Sequence, residues 1–326
     1  MSFNLPISPL QFIPEHPGNN QGISLFIKRD ELLHPEIQGS KGRKLAALFP
    51  RIKQSHPDGV VTFGGAFSNH LHAVAVAGRF FSIPTVGILR GEHVDLQNPT
   101  LQFCQENGMK LRRLPKAQYD ACKNQGDPLL NSEFPSCYFL PEGGNTPEAL
   151  EACKAIPGEI VAQLSHQHPE LSSQQLYFCA PAGTGCTAAG IVAGLAAPDN
   201  QVMVFPVSNH GIDSESILQL LHNAGFQDPE LKKRFNIIQG YTFGGFAKFH
   251  PAIMDIVRSF LQQTNILLDP IYTAKMLFGV FDMLAKGAFA PESTVVVLHT
   301  GGLQGWEGFN ARYGIGSKSL NVLIDE

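Results

Sequence analysis

Eight short runs rich in β-branched and aromatic residues recur along the chain, at residues 24–27, 59–63, 85–89, 110–113, 136–140, 176–180, 201–207 and 293–299. Most are apolar throughout rather than alternating, as expected of strands covered on both faces in a parallel sheet. Helical stretches lie between them at 43–54, 69–81, 99–107, 146–165, 187–197 and 272–286. In the first of these Leu45, Leu48 and Ile52 form an apolar face, with Ser40 ahead of them as the expected N-cap. Strand and helix in alternation predict an α/β fold of open, twisted, mostly parallel sheets flanked by helices. Strand order is not written in that pattern. The Gly/Pro-rich segment 141–147 is the best hinge, and 224–234 reads as a helical turn and a connecting loop.

Composition narrows the function classes. At 326 residues the chain is long enough for about two domains. Lys plus Arg total 24 and Asp plus Glu 28, giving a net charge of -4 with no surface suited to neutralising a polyphosphate, so no nucleic-acid partner is expected. A hydrophobic content of 43% with 16% charged residues excludes a disordered chain. The six cysteines form no CxxC pair and no zinc-like cluster with histidines, which suits buried thiols in a reducing compartment. The N-terminal residues show neither a basic nor an apolar signal-peptide region, and no apolar run reaches the roughly 20 residues that span a bilayer. The expectation is a cytoplasmic protein with no membrane partner.

The strongest motif is the passage from a strand at Leu176 into Gly183-Thr184-Gly185-Cys186-Thr187 and then a helix of small residues. Glycines there let successive N–H groups converge on an anion, and the helix N-terminus adds about half a positive charge. The hydroxyls of Thr184 and Thr187 offer further donors, so a phosphate is the favoured ligand. A dinucleotide is the rival, since Gly183, Gly185 and Ala188 fit G-x-G-x-x-A. That reading wants an acidic residue about 20 positions on. The next strand instead leads into Ser208-Asn209-His210, with no carboxylate before Asp213. A plain strand–helix turn is the third reading.

Lys41, Arg43 and Lys44 crowd the start of the helix behind Ser40. The helix dipole disfavours a cation there by about 0.3–1 kcal/mol. The same field, with neighbouring cations and burial, lowers a lysine pKa and frees its amine as a nucleophile. An activated lysine beside a single-phosphate cradle is what an aldehyde cofactor that forms a Schiff base requires. Ser68-Asn69-His70 open a second helix beneath a Gly-Gly turn, where N–H groups, a hydroxyl and an amide suit a carboxylate. His70 and His72 do not share a helical face and make a poor metal pair, so no metal is expected. Tyr272 begins a helix after a proline, and Thr300 stands at the end of a buried strand, where open α/β sheets place their ligands.

In this order the motifs resemble the fold-type II pyridoxal-phosphate enzymes, tryptophan-synthase-β-like in architecture. They are most similar to the D-cysteine desulfhydrase / 1-aminocyclopropane-1-carboxylate deaminase family. The resemblance rests on Lys28-Arg29-Asp30, Gly39 to Leu45, Ser68-Asn69-His70, Pro141-Glu142-Gly143-Gly144, Ala182 to Thr187, Asp269-Pro270-Ile271-Tyr272 and His299-Thr300-Gly301-Gly302. Gly42 after the lysine and Cys186 in the cradle depart from the usual pattern.

The resemblance implies that pyridoxal 5'-phosphate is the cofactor and that Lys41 forms the covalent link to it. By the same resemblance Asn69 meets the cofactor's phenolic oxygen, Thr300 its ring nitrogen, and Gly183, Thr184, Gly185, Cys186 and Thr187 its phosphate. Ser68, Asn69, His70 and Tyr272 would face a small amino-acid substrate, with Lys41, Ser68 and Tyr272 active in the chemistry. A large domain of residues 1–44 and 146–326 with a small domain of 45–145 inserted, and a homodimer, are likewise implied. The deaminase branch has Glu after the tyrosine, where Thr273 stands here. A neutral hydroxyl near the ring nitrogen makes a weaker electron sink, which favours β-elimination of a leaving group such as thiolate over cyclopropane ring opening. The alternatives are the deaminase reaction itself and a non-catalytic small-molecule-binding protein.

Overall fold

The computed structural model describes residues 5–56, 58–123, 128–209 and 212–314. His210, at the end of the polar tripeptide noted above, lies outside the described residues. In chain order the elements begin with β1 (Leu10–Ile13), β2 (Ser24–Lys28), α1 (Gly39–Ser55), β3 (Val60–Gly64), α2 (Asn69–Phe81) and β4 (Thr85–Arg90). There follow α3 (Pro99–Glu106), β5 (Met109–Leu114), α4 (Lys116–Cys122), α5 (Pro128–Glu133) and β6 (Tyr138–Leu140). The rest of the described chain supplies α6 (Pro147–Cys153), α7 (Ala155–Gln167), β7 (Leu176–Ala182), α8 (Cys186–Gly194), β8 (Gln201–Pro206) and α9 (Ser214–Asn223). It closes with β9 (Phe235–Ile237), α10 (Pro251–Thr264), α11 (Thr273–Ala285), β10 (Thr294–Leu298) and α12 (Gly305–Tyr313).

Two sheets result. One has six strands in the order β1-β2-β10-β7-β8-β9, the other four in the order β5-β4-β3-β6. Every pairing is parallel except β1 with β2. Val296 lies opposite both Phe26 and Phe178 in the larger sheet, and Val61 opposite Val86 and Phe139 in the smaller. The expected fold class is therefore found, and each of the eight apolar runs overlaps a strand. β1 and β9 were not expected: both are short edge strands, and their identity as strands depends on the neighbour they pair with.

The helix expected over 146–165 is two helices, α6 and α7. Pro157 has no N–H to give the carbonyl four residues back, at Cys153 where α6 ends. Ser40 is not the N-cap of α1; that position is Gln38, which makes no side-chain cap, and the helix begins at Gly39. Gly39 has φ +64°, and a Cβ there would lie 1.7 Å from the Thr300 carbonyl oxygen. The turn after β10 thus presses on the start of α1, and only glycine lets it do so.

Behind that contact α1 is held by buried charge. Arg43 grips Asp30 through Nε–Oδ2 and Nη2–Oδ1, each at 2.7 Å, and Glu159 of α7 at 2.6 and 2.8 Å. Lys28 joins at 3.0 Å from Glu159 Oε2. Burial alone would raise the Glu159 carboxyl, but Arg43 and Lys28 outweigh it and hold it below its ordinary value. The apolar face read from the sequence (Leu45, Leu48, Ile52) is buried on the other side. All six cysteines are free thiols. Among the described residues no helix is long and apolar enough to cross a membrane.

Candidate active site

The C-terminal ends of β3, β7 and β10 lead into the starts of α2 and α8 and into the turn that touches α1. Open α/β sheets expose their ligand crevices at such ends. The close approaches between these ends run through glycines. A Cβ on Gly302 would sit 2.7 Å from Asn69 Nδ2, which places the amide of Asn69 against the turn that carries Thr300. A Cβ on Gly183 would meet the Tyr272 ring at 3.1 Å, so the tyrosine lies over the glycine loop.

Lys41 stands in the first turn of α1 and donates from Nζ to the Gly143 carbonyl at 2.7 Å. Burial, then the charge of Lys44, depresses its ammonium to about 7. Of the three cations expected to act on this helix start, Arg43 is spent on Asp30 and Glu159, and Lys44 supplies the repulsion. Lys44 is three residues from Lys41 and so shares its face of the helix. It is 2% exposed, and among the described residues no carboxylate pairs with its ammonium.

The glycine loop is built as the sequence suggested. β7 ends at Ala182, Gly185 takes φ +82° as the N-cap, and α8 starts at Cys186. The Cys186 side chain is buried, which leaves the backbone to face the cleft. Thr184 differs from expectation. Its hydroxyl donates to Asn145 Oδ1 at 2.8 Å while Asn145 Nδ2 returns a bond to the Thr184 carbonyl at 3.1 Å. That proton ties the loop to the segment expected as a hinge and is not free for a phosphate; Thr187 keeps its hydroxyl uncommitted among the described residues.

Ser68 caps α2, its Oγ accepting from the Leu71 N–H at 3.2 Å, and this leaves its own proton available. His70 is buried with Nε2 2.8 Å from Thr62 Oγ1, while Thr62 Oγ1 donates to the Leu140 carbonyl at 2.9 Å. A hydroxyl has one proton, and the carbonyl can only accept, so His70 Nε2 carries the hydrogen that Thr62 accepts. Nδ1 is then a bare acceptor, buried and without a partner among the described residues, beside Gly144. Burial and the charges of Lys41 and Lys44 keep the imidazole neutral, far below its ordinary pKa. His72 is elsewhere, stacked on Phe103 at 4.0 Å.

Asp269, fully buried, organises the start of α11. Its Oδ1 accepts from the Ile271 and Tyr272 N–H groups at 3.0 and 2.7 Å, and Oδ2 from Thr273 at 2.8 Å. Tyr272 is the N-cap, with its phenol kept protonated by burial and by the carboxylates of Asp269 and Glu142. Thr273 Oγ1 is buried without a partner among the described residues. At the other wall His299 donates from Nε2 to the Leu267 carbonyl at 2.8 Å and accepts the Gly301 N–H at 3.2 Å, fixing the turn around Thr300.

The predicted residues are thus brought to adjoining element ends, linked through Gly143, Gly183, Gly302 and Gly39. Sequence reasoning gave no site role to Gly143 or Asp269, and named Lys44 only among the cations crowding the helix start. For Lys44 the signal was present, in its three-residue spacing from Lys41. Asp213, the first carboxylate after β8, spends Oδ1 on the Ser216 N–H at 2.8 Å as the cap of α9.

Comparison with known proteins gives one family. The family model described as pyridoxal-phosphate dependent enzyme matches residues 3–301. A Pyrococcus abyssi protein provisionally named 1-aminocyclopropane-1-carboxylate deaminase is 27% identical over 316 residues, covering 91% of this chain and 90% of that one. An Arabidopsis thaliana protein named as a bifunctional, mitochondrial D-cysteine desulfhydrase/1-aminocyclopropane-1-carboxylate deaminase is 28% identical over 306 residues, covering 89% of this chain and 75% of the other. Among solved structures, that of a homologue of the same deaminase superposes with a TM-score of 0.73 at 24% identity, covering 97% of this chain and 93% of that chain.

Proposed function

This chain belongs to the pyridoxal-phosphate dependent enzymes, and from that premise we propose that it is a lyase acting on a small amino acid by β-elimination. The favoured reaction is D-cysteine plus water to pyruvate, sulfide and ammonia.

The side chains fit the cofactor. Lys44 offers an ammonium with no carboxylate partner among the described residues, the start of α8 offers backbone N–H groups and the Thr187 hydroxyl, and Lys41 offers an amine depressed to about 7. Bound pyridoxal phosphate would supply an aldehyde and a ring that accepts the electron pair left at Cα. In the proposed mechanism Lys41 Nζ would receive the Cα proton, and the Gly143 carbonyl orients it. Ser68 and Asn69 at the N-terminus of α2 bind the substrate carboxylate. His70 presents an acceptor, so we assign it to a donor and leave the carboxylate to its two neighbours. Asn69 and Thr300 orient the ring, and Tyr272 closes the substrate side over Gly183.

The observation that carries elimination over ring opening is Thr273, a neutral hydroxyl buried without a partner among the described residues, where the deaminase branch has a carboxylate. Ring opening is the second reading, favoured by the names of the relatives above. Assaying pyruvate from D-cysteine beside 2-oxobutanoate from 1-aminocyclopropane-1-carboxylate decides between them; a faster cyclopropane reaction overturns the proposal. Lys41→Ala abolishes turnover and the visible absorbance of the bound cofactor, and retained pyruvate formation refutes the role given to this lysine. A yellow protein that turns over no D- or L-amino acid would restore the non-catalytic reading. We further propose that residues 1–44 and 146–326 form a large domain and 45–145 a small one. Support comes from the four-stranded sheet, which lies wholly within 45–145. A cytoplasmic homodimer completes the proposal, and sedimentation of the holoenzyme tests the oligomer.

A further inference from the structure

Lys275 is 1% exposed in the first turn of α11, where the helix dipole disfavours a cation. Its Nζ donates to three main-chain carbonyls: Val207 at 3.2 Å, Thr242 at 2.7 Å and Gly245 at 2.6 Å. All three ammonium protons are thereby used, and no carboxylate among the described residues pairs with it. Two of the acceptors belong to residues 238–250, a loop with little regular structure of its own. Within it Gly240, Phe243, Gly244, Gly245 and Ala247 all take positive φ. Phe243 and Ala247 are not glycines, and an ordinary residue holds such a conformation only where its surroundings impose it. The lysine therefore holds a strained loop against the end of β8.

That loop delivers Phe246 to the site. Its ring is 47% exposed and stands edge-on to Tyr272, with centroids 5.8 Å apart and planes at 78°. Lys275 and Tyr272 are three residues apart, so one helical turn carries both the tyrosine and the clamp that brings the phenylalanine to it.

We propose that Lys275 is a positioning residue for substrate selection: by holding three carbonyls it fixes Phe246 against Tyr272, and the two rings form the apolar wall that the amino-acid side chain meets. This rests on the assignment of Tyr272 to the substrate side. The burial that depresses the Lys275 ammonium to about 8 agrees with a group held for its geometry and not for surface charge.

The test is binding of D-alanine and L-alanine, which have no β-leaving group, to the holoenzyme, followed by the change in cofactor absorbance. Lys275→Met and Phe246→Ala should each weaken the better-bound isomer about fivefold to tenfold, the worth of an aromatic contact. Both should retain the cofactor. The double variant should be no weaker than either single one, because the lysine acts through the phenylalanine. Additive losses, or unchanged binding in either single variant, overturn the inference. Phe246 lies at an exposed position, so Phe246→Ala decides the matter even if Lys275→Met does not fold: unchanged affinity in that variant refutes the wall. If the wild-type holoenzyme responds to no small amino acid, the proposed function fails, and this inference with it.

Discussion

The depressed ammonium of Lys41 can be read directly in the protein stripped of cofactor. With its pKa at about 7, half the amine is free at pH 7. An ordinary lysine near 10.4 is free there to only about 4 parts in 10,000, so Lys41 has an advantage of roughly a thousandfold. The cause is burial first and the Lys44 charge second, which makes Lys44→Met the informative perturbation. Competitive labelling with a trace of acetic anhydride between pH 5 and 10, resolved by peptide mass spectrometry, should give a midpoint near 7 for the Lys41 peptide. In Lys44→Met the midpoint should move upward. The shift also fixes the sign of the stability effect. The folded pKa lies below the unfolded one, so the cost of the buried charge is full below about pH 7 and is relieved as pH rises towards 10.5. A wild-type midpoint above about 9, or one that Lys44→Met leaves unmoved or lowers, refutes the reasoning.

Two further outcomes follow from the packing beneath the site. Gly39→Ala sets a methyl group 1.7 Å from a main-chain oxygen at a left-handed φ, which no rotamer change relieves. A loss of several kcal/mol, about 3 or more, is expected in thermal melting, together with loss of cofactor binding; a drop under about 1 kcal/mol would show that α1 and the turn after β10 are free to separate. Arg43→Met leaves the buried Asp30 without its cation, and Glu159 with Lys28 alone, and should cost about 3–5 kcal/mol in urea unfolding. A neutral result would show that the cluster is not under load.

Legibility differed between fold and site for a physical reason. The apolar runs of β3, β7 and β10 announce themselves because a parallel strand covered on both faces admits little else. The Gly183–Thr187 turn was equally plain, since its glycines are local requirements of the chain. Lys41 was legible as an anomaly, a cation at the wrong end of a helix. The cap of α1 was misplaced because Ser40 is a good local cap, whereas the helix start is set by Thr300, distant in sequence.

What the sequence by itself determined is therefore the class of fold, the elements around the cleft and the residue types suited to a phosphate and a reactive amine. Periodicity, glycine and helix polarity act over a few residues and need no knowledge of the rest of the chain. The tertiary structure decided which of those groups are free. It spent Arg43 on Glu159, left Lys44 without a counter-charge among the described residues, used the Thr184 proton on Asn145 and bared His70 Nδ1 by way of Leu140. Each proton and each charge can be used once, and the competitor that takes it is brought in by the fold from far along the chain.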